Sequence, residues 1–145
     1  MKGRITENFS WEEFERSGKA AELAIDNTIP DEGIASQIRS LCVTVLQPLR
    51  DAFGGPLTIN SGYRSPALNK AVKGARNSQH TRGQAADIAA SDPYVLAQLV
   101  IKKRLPFDQL IIYPSFIHIS HKHPGEQRGN ILYHSSYKGP KLKLP

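Results

Sequence analysis

Between Asp31 and Phe53 the apolar residues Ile34, Ile38, Leu41, Val45, Leu46 and Leu49 recur at three- and four-residue steps, the period of an amphipathic helix. Pro48 falls inside this run, where it removes a backbone donor and predicts a kink. Gly54-Gly55-Pro56 stops the helix. A shorter helix is predicted within Asn8–Glu15: Ser10 and Glu13 stand at capping-box spacing, and Phe9, Trp11 and Phe14 give an apolar side. Gly18–Pro30 is largely polar and reads as a loop with one helical turn. Helical patterns return over Ala67–Val72 and from Ser91-Asp92-Pro93 to about Lys103. Strands are predicted over Leu57–Asn60 and Ala85–Ala89. Phe107–Tyr113 and Phe116–Ser120 read as a hairpin about Pro114-Ser115, and Ile131–Tyr133 as a last short strand. The end of the chain, about 136–145, reads as a frayed tail. Few strands, joined partly by hairpins and preceded by helices, predict an α+β fold: a small, mostly antiparallel sheet with flanking helices.

Composition narrows the setting. A chain of 145 residues with 39% apolar content suits one domain over 1–145 with a single core. A monomer is expected. No apolar run approaches the roughly eighteen residues of a membrane span. The opening M-K-G-R-I-T-E-N-F-S lacks the apolar stretch of a signal peptide, so cytoplasmic synthesis is expected. The lone cysteine, Cys42, sits in the helical apolar pattern and reads as a small buried hydrophobe. A net charge of +6 and a pI near 9.6 favour polyanionic partners such as nucleic acid, anionic lipid or an acidic cell wall. Much of that charge (Lys122, Arg128, Lys138, Lys141, Lys143) falls in a polar C-terminal region, and no interleaved aromatic–basic motif supports a nucleic-acid partner.

Candidate chemistry gathers around S-Q-H-T-R-G-Q-A-A-D, residues 78–87. His80 and Asp87 are seven residues apart with Gly83 between them, a spacing that suits a turn rather than one helix face. A third ligand is available in F-I-H-I-S, where His118 faces opposite to Ile117 and Ile119. His80, Asp87 and His118, with a fourth position for water, have the composition of a catalytic zinc site. Arg64 closes a predicted strand. It reads either as part of a polar turn or as a clamp for a carboxylate or oxyanion.

Taken together, S-G-Y-R-S (61–65), S-x-H-x-x-G-x-A-x-D (78–87) and F-I-H-I-S (116–120) resemble the zinc D-alanyl-D-alanine carboxypeptidase-like family. Its fold is shared with vancomycin-resistance dipeptidases, some phage endolysins and the hedgehog signalling domain. The opening N-F-S-W-E-E-F is similar to short, often prophage-borne members. The resemblance implies zinc held by His80, Asp87 and His118, an oxyanion stabilised by Arg64, and substrate bound at Ser78 and Tyr63. It implies a peptidase acting on peptidoglycan stem peptides, as a carboxypeptidase or an endolysin-type endopeptidase, reaching the wall by a phage-type route.

The sequence departs from that family at the general base. An acidic residue is expected three positions before His118 or at the end of the preceding strand, where Ser115 and Tyr113 stand instead. Asp108, His121 and, as an acid, Tyr113 are the candidate substitutes. A two-residue hairpin turn pairs Ile111 with His118 and sets Asp108 opposite His121, about 10 Å along the strand from the ligand. A chain leaving the sheet after Ser120 returns His121 toward the metal, which favours His121 as base and leaves Asp108 a stabilising role. A non-catalytic, zinc-stabilised wall-binding module is the alternative function.

Overall fold

The computed structural model describes residues 2–145. A short ribbon of β1 (Arg4–Thr6) and β2 (Phe9–Ser10) leads into α1 (Trp11–Glu15). There the Glu13 carboxylate accepts the Ser10 backbone N–H at 2.9 Å, the capping contact its spacing predicted. The predicted helix thus begins later than Asn8, because Phe9 and Ser10 are extended in the ribbon. The helical turn of the next segment is α2 (Gly18–Glu22).

The long helical run is three pieces in one continuous rod: α3 (Glu32–Leu41), a π-helical turn at Cys42–Leu46, and α4 (Gln47–Phe53). Asp31 caps its start, its side chain accepting the Ile34 N–H at 2.9 Å. Gly54, at φ 76°, ends it. The disturbance predicted at Pro48 lies one turn earlier. A proline ring crowds the carbonyl four residues back, here Thr44, and the wider π turn around Thr44 relieves that crowding. Cys42 lies in this turn, fully buried, with its thiol pKa pushed up by desolvation.

After β3 (Ile59–Ser61) and α5 (Pro66–Ala71), a 3-10 turn at Gln79–Arg82 delivers the chain to β4 (Ala85–Ala89). Helix α6 (Pro93–Lys102), β5 (Gln109–Ile112), β6 (Phe116–Ser120) and β7 (Asn130–Tyr133) complete the element order. The main sheet has the order β3-β4-β6-β5-β7; only the β5–β7 pair is parallel. This is the α+β arrangement the pattern predicted. The hairpin register also agrees, with Ile112 opposite Ile117 and Ile111 opposite His118.

Alternation divides the sheet. Ala86, Ile88, Leu110, Ile112, Ile117 and Ile119 are fully buried and share a core with Ile38, Leu46, Leu49 and Leu96 of the helices. Asp87, Ile111 and His118 point the other way, half-buried, and line a cleft. One face holds the fold together; the other is free for chemistry.

The tail is anchored at Leu142. Leu142 is buried in the core, its N–H donates to the Tyr133 hydroxyl at 2.9 Å, and Lys141 Nζ lies 3.9 Å from the Tyr133 ring centroid. The apolar alternation of K-L-K-L supplies one anchor, which composition alone read as solvated. Among the described residues, no helix is long and apolar enough to cross a membrane.

A buried residue in the predicted loop holds several elements together. Asn27 Nδ2 donates to the Glu15 and Tyr63 carbonyls, both at 2.9 Å, and its Oδ1 accepts the Ser65 N–H at 2.7 Å. Asn27→Ala strands these groups without partners, at roughly 1–3 kcal/mol for a buried unsatisfied group. Its urea midpoint is expected to fall accordingly. An unchanged midpoint would show that water replaces the amide without loss.

Candidate metal centre

The site is built from a turn and two neighbouring strands. Ser78 caps the 3-10 turn by accepting the His80 N–H at 3.2 Å, and Gly83 closes it at φ 73°. A Cβ at Gly83 would lie 2.8 Å from the Ile34 carbonyl oxygen, so the turn sits directly on α3. His80, almost fully buried, bonds through Nδ1 to the Gly62 carbonyl at 2.7 Å. With the proton on Nδ1, the Nε2 lone pair is left facing Asp87, 3.3 Å from Oδ1. Burial pushes the His80 pKa down, which favours the neutral, metal-binding form.

Gly62 is required by packing. A Cβ there would meet the Phe14 Cα at 2.8 Å and its ring at 2.7 Å. Phe14 O also accepts the Tyr63 N–H at 2.8 Å. The N-terminal helix therefore fixes the strand end that orients His80.

Asp87 and His118 are directly opposed across β4 and β6. His118 Nδ1 lies 2.9 Å from Asp87 Oδ1. One ligand atom from each of His80, Asp87 and His118 falls within 4.8 Å of the others, close enough to hold a single metal ion. Burial alone would raise the Asp87 pKa, but the contacts from His118 and His80 hold it well below the usual carboxylate range. Two imidazoles and a carboxylate form a donor set that zinc accepts, with room for a fourth ligand.

Arg64 reaches the same group. Its Nη2 is 3.5 Å from Asp87 Oδ2, while Nε donates to Ser61 Oγ at 3.1 Å and Nη1 to Asn69 Oδ1 at 3.2 Å. Asn69 in turn donates to the Ala75 carbonyl at 2.9 Å. Arg64 is thus aimed into the cleft by neighbours that sequence reasoning passed over. Asn69 lay in a predicted helix and Asn27 in a predicted loop, and neither showed a signal beyond being a polar residue near a motif.

The cleft has a volume of about 780 Å³ and brings together Arg64, Ser78, His80, Asp87, Tyr113 and His118. Tyr113 follows β5, its ring stacked on Phe116 at 4.1 Å and on His134 at 4.7 Å. Desolvation pushes its pKa up, with Asp87 adding to the effect, so the phenol stays protonated.

Three residues singled out in the sequence lie elsewhere. Tyr63 is buried in the core beneath the strand end and does not line the cleft. Its backbone is held on the inner side, the N–H donating to Phe14 O at 2.8 Å and the carbonyl accepting from Asn27 Nδ2 at 2.9 Å. His121 is also outside the cleft. Its N–H continues the sheet by donating to Gln84 O at 2.9 Å, so the chain does not leave after Ser120. That puts the imidazole in the phase of Ile117 and Ile119, with Nδ1 2.6 Å from Pro106 O. Asp108 is fully buried, and its carboxylate is taken up by Arg128, at 2.7 Å from Nη2, and by Gln79, at 3.1 Å from Nε2. Neither His121 nor Asp108 lines the cleft.

Three candidate ligands on a turn and two strands, on the open face of an α+β sheet with an arginine beside them, form a candidate single-metal site. The chain belongs to the Peptidase M15 family, which matches it over residues 7–120. A 46-residue stretch is 50% identical to the zinc D-Ala-D-Ala carboxypeptidase of Streptomyces albus G. That match covers 31% of this chain and 18% of the relative's length.

The buried Asp108 generates a pH prediction. Burial alone would raise its pKa, but hydrogen bonds from Arg128 hold it below the ordinary value of 3.8. A depressed folded-state pKa contributes stability that is present above 3.8 and is lost as pH falls through the acid range. Asp108→Asn is therefore expected to lower the urea midpoint at pH 7, with the deficit shrinking toward pH 3. A deficit independent of pH would exclude an electrostatic role.

Proposed function

We propose that this protein is a zinc-dependent peptidase hydrolysing amide bonds of peptidoglycan stem peptides, as a carboxypeptidase or an endolysin-type endopeptidase. The observation that carries the reading is the convergence of His80 Nε2, His118 Nδ1 and Asp87 in an open cleft. It is supported by membership of a peptidase family and by the local likeness to a zinc D-Ala-D-Ala carboxypeptidase. Zinc held by His80, Asp87 and His118 would supply Lewis acidity to polarise a carbonyl and to lower the pKa of a bound water.

The chain's own residues do the rest. Arg64 is fixed by Ser61 and Asn69 and carries a charge that does not titrate in the working range, so it can stabilise a developing oxyanion. Ser78 lines the cleft and offers a hydroxyl to a bound peptide, although its Oγ already accepts from the His80 N–H. Tyr113 can donate a hydrogen bond, or a proton to the leaving amine, but it does not serve as a base while protonated.

A second reading has a specific observation in its favour. Among the described residues, Asp87 is the only carboxylate lining the cleft, and it is already committed to the metal group. A protein without a positioned base could retain the metal and the fold as a wall-binding module.

Mass spectrometry of wall fragments separates the two. The zinc-loaded protein is expected to create new termini at an amide next to a D-residue, whereas His80→Ala lacks both the zinc and the activity. Arg64→Ala is expected to retain zinc and lose about 10²–10³-fold in turnover. Unchanged muropeptides from protein carrying one zinc per chain would select the binding module.

A further inference from the structure

The charge of the cleft is lopsided. Arg64, Lys73, Arg82, Lys122 and Arg128 line it against the single carboxylate of Asp87. The strand order separates these cations into groups. Arg64 follows β3 at one edge of the sheet, while Arg128 precedes β7 at the other, with the ligands on β4 and β6 between them. Lys122 follows β6 and joins Arg128 at the second edge through Asp108.

Asp108 holds these two cations by an uneven set of bonds. Its Oδ2 accepts from Gln79 Nε2 at 3.1 Å, Arg128 Nε at 3.0 Å and Arg128 Nη2 at 2.7 Å. Its Oδ1 accepts the Arg128 backbone N–H at 2.8 Å and lies 3.4 Å from Lys122 Nζ. A carboxylate has about four acceptor sites, so these donors exceed its capacity, and Lys122 is the most distant of them. The Lys122 ammonium has three donors and Arg128 five; most remain unused. Both side chains stay accessible, 36% and 50% exposed, although Asp108 beneath them is fully buried. The Lys122 backbone is fixed as well, its N–H donating to Gln127 Oε1 at 2.9 Å and its carbonyl accepting from Gln127 Nε2 at 2.7 Å. Two cations on one carboxylate leave a net positive charge at a fixed place on the cleft wall.

We infer that Lys122 and Arg128, organised by Asp108 as a positioning residue, form an anion subsite that takes a free carboxylate of the peptide bound in the cleft. The peptide itself rests on the peptidase reading; the anion preference rests on the cations. The subsite lies on the far side of the ligands from Arg64. A peptide spanning the cleft would present its carbonyl to the arginine edge and its carboxylate to the lysine edge. Lys122 swings from its long contact with Asp108 to the ligand, and Arg128 keeps the Asp108 charge matched while it does so.

The test uses zinc-loaded protein and a phosphinic analogue of acetyl-D-Ala-D-Ala, which cannot be cleaved, together with the same analogue as its C-terminal amide. Calorimetry gives the affinity ratio of acid to amide, in which the contribution of the metal cancels. Wild type is expected to prefer the acid by about tenfold to a hundredfold, the size of a charge-assisted hydrogen bond. Lys122→Met is expected to lose most of that preference by weakening the acid alone, and Lys122→Arg to keep it. Equal binding of acid and amide by wild type, or full preference retained in Lys122→Met, would overturn the inference. The two readings fail separately: the preference without turnover leaves the subsite standing and removes the peptidase, and turnover without the preference does the converse.

Discussion

The structure depends on how a nearly buried carboxylate is matched. Asp87 lies on the central part of the sheet, its side chain only 13% exposed. An isolated carboxylate in such a place would be costly, and it stays ionised only if partners surround it. Those partners arrive from three directions. His118 comes from the adjacent strand, His80 from the turn before β4, and Arg64 from the far side of β3. His80 is supported in turn by the Gly62 carbonyl, and Arg64 by Ser61 and Asn69. Matching this charge and building a metal site are largely one arrangement, because the two imidazoles that face Asp87 are those that would share an ion with it.

That arrangement explains why the N-terminal segment matters to a site it never touches. Phe14 packs against Gly62 closely enough to exclude any Cβ, and Asn27 links the Glu15 and Tyr63 carbonyls to the Ser65 N–H. The strand end that orients His80 and Arg64 is thereby clamped between α1 and the Asn27 segment. Positioning of a ligand within a fraction of an ångström generally requires such a supporting layer.

The two acidic residues near the hairpin have opposite fates, for a geometric reason. Asp87 lies in the middle of its strand on the open face, where its charge is shared among groups that can bind a metal. Asp108 lies at the start of β5, where Arg128, Lys122 and Gln79 close over it, so its charge is spent on holding the segment before β7. Tyr113, just past the other end of β5, reaches the cleft as a protonated phenol, a donor rather than a base. The single cleft carboxylate and the cationic wall thus belong to one design, in which β5 carries structural charge at one end and an aromatic donor at the other.

Alternation and helical period, read from residues alone, were enough to determine the α+β class, the hairpin register and the opposite facing of His118 from Ile117 and Ile119. These depend on short-range periodicity, and a slip of one residue would expose Ile117 and Ile119 to solvent. The motif around His80 and Asp87 was equally legible, since a turn closed by glycine leaves few ways to present both side chains. What only tertiary structure decided were the facts that depend on distant partners. Tyr63 is in the core because Phe14 and Asn27 hold its backbone, and Leu142 docks because Tyr133 and Gln98 meet the tail. His121 stays with the core-facing phase because Gln84, 37 positions earlier in the chain, extends the sheet by one more bond. Asp108 is neutralised by an arginine twenty residues away. Each contact joins segments whose separation in sequence says nothing about their distance in space, and for that reason the sequence could supply the ligands but not their supports.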